Sequence, residues 1–245
     1  MAQLYIDRGN TALKWQLLED DVLLDSGFFK NDIDLVTGLS FMPNMALSHL
    51  FVASVGSANF QRQLLAWAEE KNQPKPVFVE SVRESCGVLN AYQEARQLGV
   101  DRWLAMIAAF NKYDGMLCIA DSGTALTMDF LRGNGEHMGG FIVPGAELMK
   151  NSLLQNTQKI HVDHARQSDQ LGRNTSEAVM FGIEQMLKIF VREKVAEIEK
   201  KHQQEITLVL AGGHSARLAE GFLGNAHVEK NLVLDGLKLV SKCYK

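Results

Sequence analysis

No stretch of this sequence is apolar for long enough to cross a bilayer, which takes about 20 consecutive residues. Basic residues do not outnumber acidic ones: 25 Lys and Arg stand against 29 Asp and Glu, a formal net charge of −4. With no basic cluster standing out, a dedicated nucleic-acid binder is set aside. Cysteine is scarce, and the three present (Cys86, Cys118 and Cys243) are odd in number and widely spaced. That predicts free thiols in a reducing cytosol, and no Cys/His spacing matches a zinc site. The first residues lack a basic region followed by a long apolar core, so the sequence predicts no signal peptide and a cytoplasmic location. No low-complexity segment and no linker rich in Pro or Ser interrupts the chain. Three nucleotide signatures are also missing. There is no G-x-x-x-x-G-K-[ST], so no Walker-type loop, and no G-x-G-x-x-G between a strand and a helix. Nor is there an H-R-D or D-F-G pair of the protein-kinase kind.

What remains is an ordinary globular composition, 46% apolar and 22% charged. The 245 residues suffice for one large domain or two of about 120 residues, each with its own core. The pattern favours two. Residues 5 to 15 read YIDRGNTALKW, a short apolar run ending in Asp7, Gly9, Asn10 and Thr11. Residues 117 to 127 read LCIADSGTALT. Both contain Asp-x-Gly followed by Thr-Ala-Leu, with one residue fewer in the second. Alone, Gly9-Asn10 reads as a hairpin turn. The same turn at matching places in the two halves indicates a duplicated unit, 1–115 and 116–245.

The secondary-structure pattern agrees. Strands are predicted at 2–7, 13–18, 22–29, 50–55 and 76–80, with a helix from Ala58 carrying Phe60, Leu64, Leu65 and Trp67 at helical spacing. A helix at 101–112 places Trp103, Leu104, Ile107 and Phe110 on one side. The second half repeats strands at 116–121 and 125–132, then one from Met138. A helix over 175–200 follows, with Asn174 as N-cap, Glu177 three residues on, and a stripe of Val179, Ile183, Met186, Leu187, Phe190, Val195 and Ile198. A buried strand at 205–213 ends in Gly212-Gly213, and a further helix begins at Ser215.

A tight strand–turn–strand aims backbone N–H groups outward. Glycine removes the Cβ that would block an anion, and Thr or Asn adds a donor. Two such loops can hold a polyphosphate, with an Asp beside each to carry a cation and Lys14 as a mobile positive charge. This set suits phosphoryl transfer, where catalysis is positioning plus charge stabilisation. The bland alternative makes Asp7 and Asp121 turn formers only.

The motifs carry a resemblance. DRGNTALK resembles the first phosphate motif, D-x-G-N-[ST]-x-x-[KR], of type III pantothenate kinases, and DSGTALTMD resembles their second. YQEARQLGVDRWLAMIAAF is similar to the segment with their pantothenate site and catalytic aspartate, and GGFIVPG and LAGGH to their later glycine motifs. The matches fall in the family's order from residue 7 to 213. The resemblance implies an α/β fold of the acetate and sugar kinase, heat-shock chaperone and actin superfamily. That means two ribonuclease-H-like domains from a duplication, mixed sheets flanked by helices, and ATP in the interdomain cleft. It implies a homodimer that phosphorylates pantothenate with ATP, Mg2+ and a monovalent cation (potassium or ammonium), without nucleic acid or membrane.

Residue by residue, the resemblance assigns ATP to Asp7, Arg8, Gly9, Asn10, Thr11, Ala12, Leu13, Lys14 and Thr124, and the monovalent cation to Asp121. It assigns substrate to Tyr92, Gly99, Val100, Asp101 and Arg102, with Asp101 as the base, and to Thr175 closing over the neighbouring subunit's pantothenate. Each has a structural alternative. Asp101 can be an acid at a helix N-terminus, Arg102 a surface charge, Tyr92 a packing aromatic and Thr175 a first-turn residue. Arg8 departs from the family pattern, where this position is often small or apolar. A solvent orientation is expected for it, with the phosphates as the alternative. His161, His164 and His214 lack acid or Cys partners at ligand spacing and are expected to face solvent. Gly212-Gly213 is either a helix-entry turn or an approach to the adenine. Two other functions stay open, another small-molecule kinase of the superfamily and a non-catalytic accessory factor in transcription.

Overall fold

The computed structural model describes residues 1–43, 45–56, 58–156, 171–222 and 226–244. The chain divides into two compact units, Met1–Lys112 with Asn231–Lys245, and Tyr113–Lys230.

The first unit opens with β1 (Ala2–Arg8), β2 (Ala12–Glu19) and β3 (Val22–Lys30), then α1 (Leu35–Leu39), β4 (Leu47–Ser54), α2 (Ala58–Glu70) and β5 (Val77–Phe78). The sheet order is β3-β2-β1-β4-β5. β1, β2 and β3 form an antiparallel meander, while β4 runs parallel to β1 and to β5. Alternation along the strands sends Leu4, Ile6, Leu13, Trp15 and Leu17 to one face, where they pack with Leu50, Val52 and the Phe60, Leu64 and Trp67 stripe of α2. A two-residue hairpin follows, β6 (Glu84–Ser85) and β7 (Val88–Leu89). Cys86 and Gly87 turn it with φ of 49° and 83°, the mirror-image turn that matches strand twist.

Next comes α3 (Val100–Phe110). A one-sided helix was expected, but Val100 and every residue from Arg102 to Ala109 are buried. Helices buried all round are apolar all round, and the alanines among the large residues hide this in a periodicity reading.

The second unit contains β8 (Met116–Ser122), β9 (Ala125–Leu131), β10 (His137–Pro144), α4 (Ala146–Asn156), α5 (Thr175–His202), β11 (Ile206–Ala211), α6 (Ser215–Ala219) and β12 (Ala226–Val228). Its order, β10-β9-β8-β11-β12, repeats that of the first sheet, with the same antiparallel meander and the same two parallel pairings. α5 begins as its sequence demands. The Asn174 side chain accepts from the Glu177 N–H at 2.9 Å, and the Glu177 carboxylate accepts from the Arg173 N–H at 2.8 Å. Ile183, Leu187 and Val191 enter the core, whereas Met186, expected in that stripe, is exposed.

The last helix, α7 (Leu232–Ser241), returns to the first unit and packs on α3, which a boundary at residue 115 does not describe. The crossing is so close that a Cβ on Gly236 would lie 2.0 Å from the Leu104 carbonyl oxygen. No helix among the described residues is long and apolar enough to cross a membrane.

Candidate active site

The first loop lies at the β1–β2 turn. Asp7 pairs with Lys14 across the strands and with Ala53 on β4. The Gly9 N–H donates to the Ala12 carbonyl at 3.1 Å, closing the turn and leaving Asn10 and Thr11 exposed. The side chain of Arg8 does not take the solvent orientation expected for it. Arg8 is partly buried, and its guanidinium lies 5.4 Å from the centroid of the Phe60 ring on α2. Alternation is the reason: Ile6 points into the core beneath α2, so Arg8, two residues on, leaves the sheet on that same face, opposite to Asp7. Its Nη1 is buried without a hydrogen-bond partner, and burial pushes the guanidinium below its ordinary pKa.

The second loop lies at the β8–β9 turn and repeats these relations. Asp121 pairs with Thr127 across the strands and with Ala211 on β11. The turn is one residue shorter, closed by the Gly123 N–H donating to Ala125 O at 2.9 Å. Two glycines from later in the chain press on it. Gly145 donates its N–H to the Thr124 carbonyl at 2.9 Å, and a Cβ on it would stand 2.3 Å from Gly123 O. Gly212 has a φ of 87°, and a Cβ there would stand 2.5 Å from Asp121 Oδ1 and from Ser122 O. The need for glycine at 212 thus arises inside the protein, from the Asp121 carboxylate and the Ser122 backbone. His214 N–H donates to Ser122 O at 3.1 Å; the residue is half-buried and its Nδ1 is buried without a partner, unlike the solvent-facing histidine expected. His161 and His164 lie outside the described residues.

The third element is the segment from Arg83 to Arg102, in the first unit. Asn90, fully buried, donates through Nδ2 to Val82 O at 3.2 Å and Ala95 O at 3.1 Å, and accepts the Tyr92 N–H at 2.9 Å. Arg83 donates through Nη1 to Asn90 O at 2.8 Å and Tyr92 O at 3.2 Å. These two residues bracket the segment, and sequence reasoning missed both. An Asn between turns reads as a turn former; only its buried side-chain bonds give it away. Tyr92 is half-buried, and its hydroxyl accepts from Nη1 of Arg102 at 3.0 Å. Arg102 is only 7% exposed, so it is no surface charge. Gly99 is the N-cap of α3, with Asp101 in the first turn. The Asp101 carboxylate accepts the Arg102 N–H at 2.8 Å and folds back so far that a Cβ on Gly99 would stand 2.6 Å from its Oδ1. The half-buried Asp101 therefore sits against the N-terminal turn of α3. Thr175, first residue of α5 in the second unit, is exposed. Among the described residues no group of three or more His, Cys, Asp or Glu is arranged to hold a metal ion.

The sequence matches the type III pantothenate kinase profile over residues 3–197. A type III pantothenate kinase of Hahella chejuensis is 35% identical over 98% of this chain and 98% of its own length. That of Alcanivorax borkumensis is 34% identical over 97% and 98%. The chain belongs to the type III pantothenate kinase family. Among solved structures, a protein of Campylobacter jejuni assigned provisionally to the Baf family of transcriptional activators superposes with a TM-score of 0.63, at 22% identity over 98% of both chains. Component A of the (R)-2-hydroxyglutaryl-CoA dehydratase of Acidaminococcus fermentans superposes with a TM-score of 0.52, at 14% identity over both whole chains. At such identities these likenesses show the fold alone. It is the duplicated ribonuclease-H-like fold, two mixed sheets of one strand order flanked by helices, that the family's motifs imply.

Proposed function

We propose that the chain transfers the γ-phosphoryl group of ATP to the 4′-hydroxyl of pantothenate, the first step of coenzyme A synthesis. Membership in the kinase family carries the reaction class. The observation that supports the two loops as its phosphate grips is a pair of glycines the fold does not require. Neither Gly9 nor Gly123 has a positive φ, and a Cβ would meet nothing closer than 3.5 Å and 3.4 Å respectively, ordinary contact distances. A bare backbone there serves something that comes close from outside, as an anion on backbone N–H groups does.

In this reading the Asp7–Lys14 loop and the Asp121–Thr124 loop bind phosphate. Lys14 adds charge, and Asp7 lies near the Mg2+ that accompanies ATP. Asp121 offers a carboxylate oxygen to potassium or ammonium beside the bound polyphosphate, whose charge a cation offsets. Arg8 stands apart, since its side chain lies against α2. Tyr92, Gly99, Val100 and Arg102 form the pantothenate side, and Asp101 orients the hydroxyl and takes its proton as the new P–O bond forms. That Asp101, Lys14 and both loops are intact favours catalysis over a non-catalytic accessory role. Three free thiols accord with a reducing cytoplasm. The homodimer belongs to the same reading. Exposed Ile142, Met186 and Ile189 on β10 and α5 give the second unit apolar surface for a second copy, with Thr175 at the head of α5.

A coupled assay for ADP, run with pantothenate and with a panel of sugars, tests the reaction. ADP formation dependent on pantothenate is expected; turnover of a sugar but not of pantothenate overturns the reading in favour of another superfamily kinase.

A further inference from the structure

We infer that Asn31 is a positioning residue for the first phosphate loop, and that the loop depends on its side-chain donor rather than its bulk. The inference rests on the reading of that loop as ATP-binding.

Asn31 is the residue after β3, outside every motif of the sequence. Its backbone N–H donates to the Thr11 carbonyl at 2.9 Å, and its Nδ2 donates to the Gly9 carbonyl at 3.0 Å. One residue thus holds the carbonyls on both sides of Asn10. A trans peptide is planar, with its C=O and the next N–H pointing opposite ways. Drawing Gly9 O toward Asn31 therefore turns the N–H of Asn10 away from it, whereas the N–H of Ala12 is turned toward β1, the side to which Ala12 also presents its carbonyl. Outward N–H groups are what a phosphate oxygen needs, and a pre-set loop does not spend binding energy on ordering itself.

The chemistry of the amide fixes which end faces the loop. A carbonyl can only accept, so the group against Gly9 O is the NH2. The other end, Oδ1, is buried without a hydrogen-bond partner. A buried unpaired acceptor is unfavourable, so nothing on that side of the amide holds it in place. The bond to Gly9 does.

The test uses the full chain with Asn31→Asp, Asn31→Ala and Lys14→Ala. Aspartate keeps the shape but has no donor, and it sets an acceptor against the Gly9 carbonyl. We expect Asn31→Asp to raise the KM for ATP about tenfold or more, and Asn31→Ala somewhat less. The KM for pantothenate stays near wild type in both variants, and the Tm does so in Asn31→Ala. Calorimetric titration with Mg-ATP alone shows the same weakening. If Asn31→Asp binds ATP as tightly as wild type while Lys14→Ala does not, the inference about Asn31 is overturned alone. If neither weakens ATP binding, the reading of the loop itself fails. A loss shared by both substrates with a lowered Tm also overturns the inference, because it marks Asn31 as merely structural.

Discussion

Nη1 of Arg102 donates a hydrogen bond of 3.0 Å to the hydroxyl of Tyr92, and the same guanidinium lies 5.8 Å from the centroid of the Tyr92 ring. A buried cation on α3 is thereby joined to the segment that Asn90 and Arg83 bracket. Removing the hydroxyl in Tyr92→Phe leaves the cation one acceptor short. A hydrogen bond to a charged group contributes about 1.5–3 kcal/mol, so the KM for pantothenate should rise about tenfold or more. Arg102→Lys should cost more, since an ammonium cannot reproduce the planar fork. Steady-state kinetics with each substrate varied in turn check this, and a rise confined to the KM for ATP would refute the assignment.

Asp101 gives a second prediction. In a loose phosphoryl-transfer transition state the hydroxyl keeps its proton until late. In the proposed reaction the Asp101 carboxylate holds the oxygen in line and then accepts the proton. Asparagine keeps the size and can accept a hydrogen bond, but it is a poor proton acceptor. Asp101→Asn should leave ATP binding intact and lower kcat by about 10²- to 10⁴-fold, the range for a positioned general base. Near-normal turnover would make Asp101 only the acid of a helix N-terminus.

Much of this arrangement is legible in sequence because it is local. The repeat of Asp-x-Gly-(Asn)-Thr-Ala-Leu marks both loops, and the two sheets with one strand order bear out the duplication it signals. The start of α5 is readable from Asn174 and Glu177, whose bonds form within one turn. What escapes is set by distant partners. Nothing near residue 232 tells that α7 will pack on α3, since the fit depends on Gly236 meeting Leu104. Gly145 closes the GGFIVPG motif, but what a glycine does there shows only when the Thr124 carbonyl is seen beside it. Arg8 was within reach, because the alternation that sends Ile6 inward also decides where Arg8 goes.

The proposed monovalent cation rests on Asp121. A carboxylate beside a bound polyphosphate adds negative charge that a cation must offset. Activity in sodium-only buffer should rise when potassium or ammonium is added, and Asp121→Asn should abolish the rise. Equal rates of the wild type in the two buffers would remove the cation from the mechanism.

Two glycines of the second unit should respond to alanine with opposite signs. At Gly145 a Cβ would stand 2.3 Å from Gly123 O and 2.7 Å from Thr124 O. Both are backbone atoms of the second loop, so no rotamer change relieves the clash and the loop must shift. Gly145→Ala should lower stability by about 1–3 kcal/mol and weaken ATP binding about tenfold or more, since a displaced loop no longer presents its N–H groups. At Gly182, inside α5, no atom among the described residues, the helix's own backbone aside, lies within 4 Å of where the Cβ would be. There alanine only narrows the unfolded chain and favours the helix, which contributes about 0.5–1 kcal/mol. In a chain of this size that corresponds to a Tm about 1–4 °C higher, with ATP binding unchanged. Thermal melts and ATP titrations of the two variants decide both signs. A Gly145→Ala protein with wild-type ATP affinity would show that the second loop does not depend on its contact with Gly145.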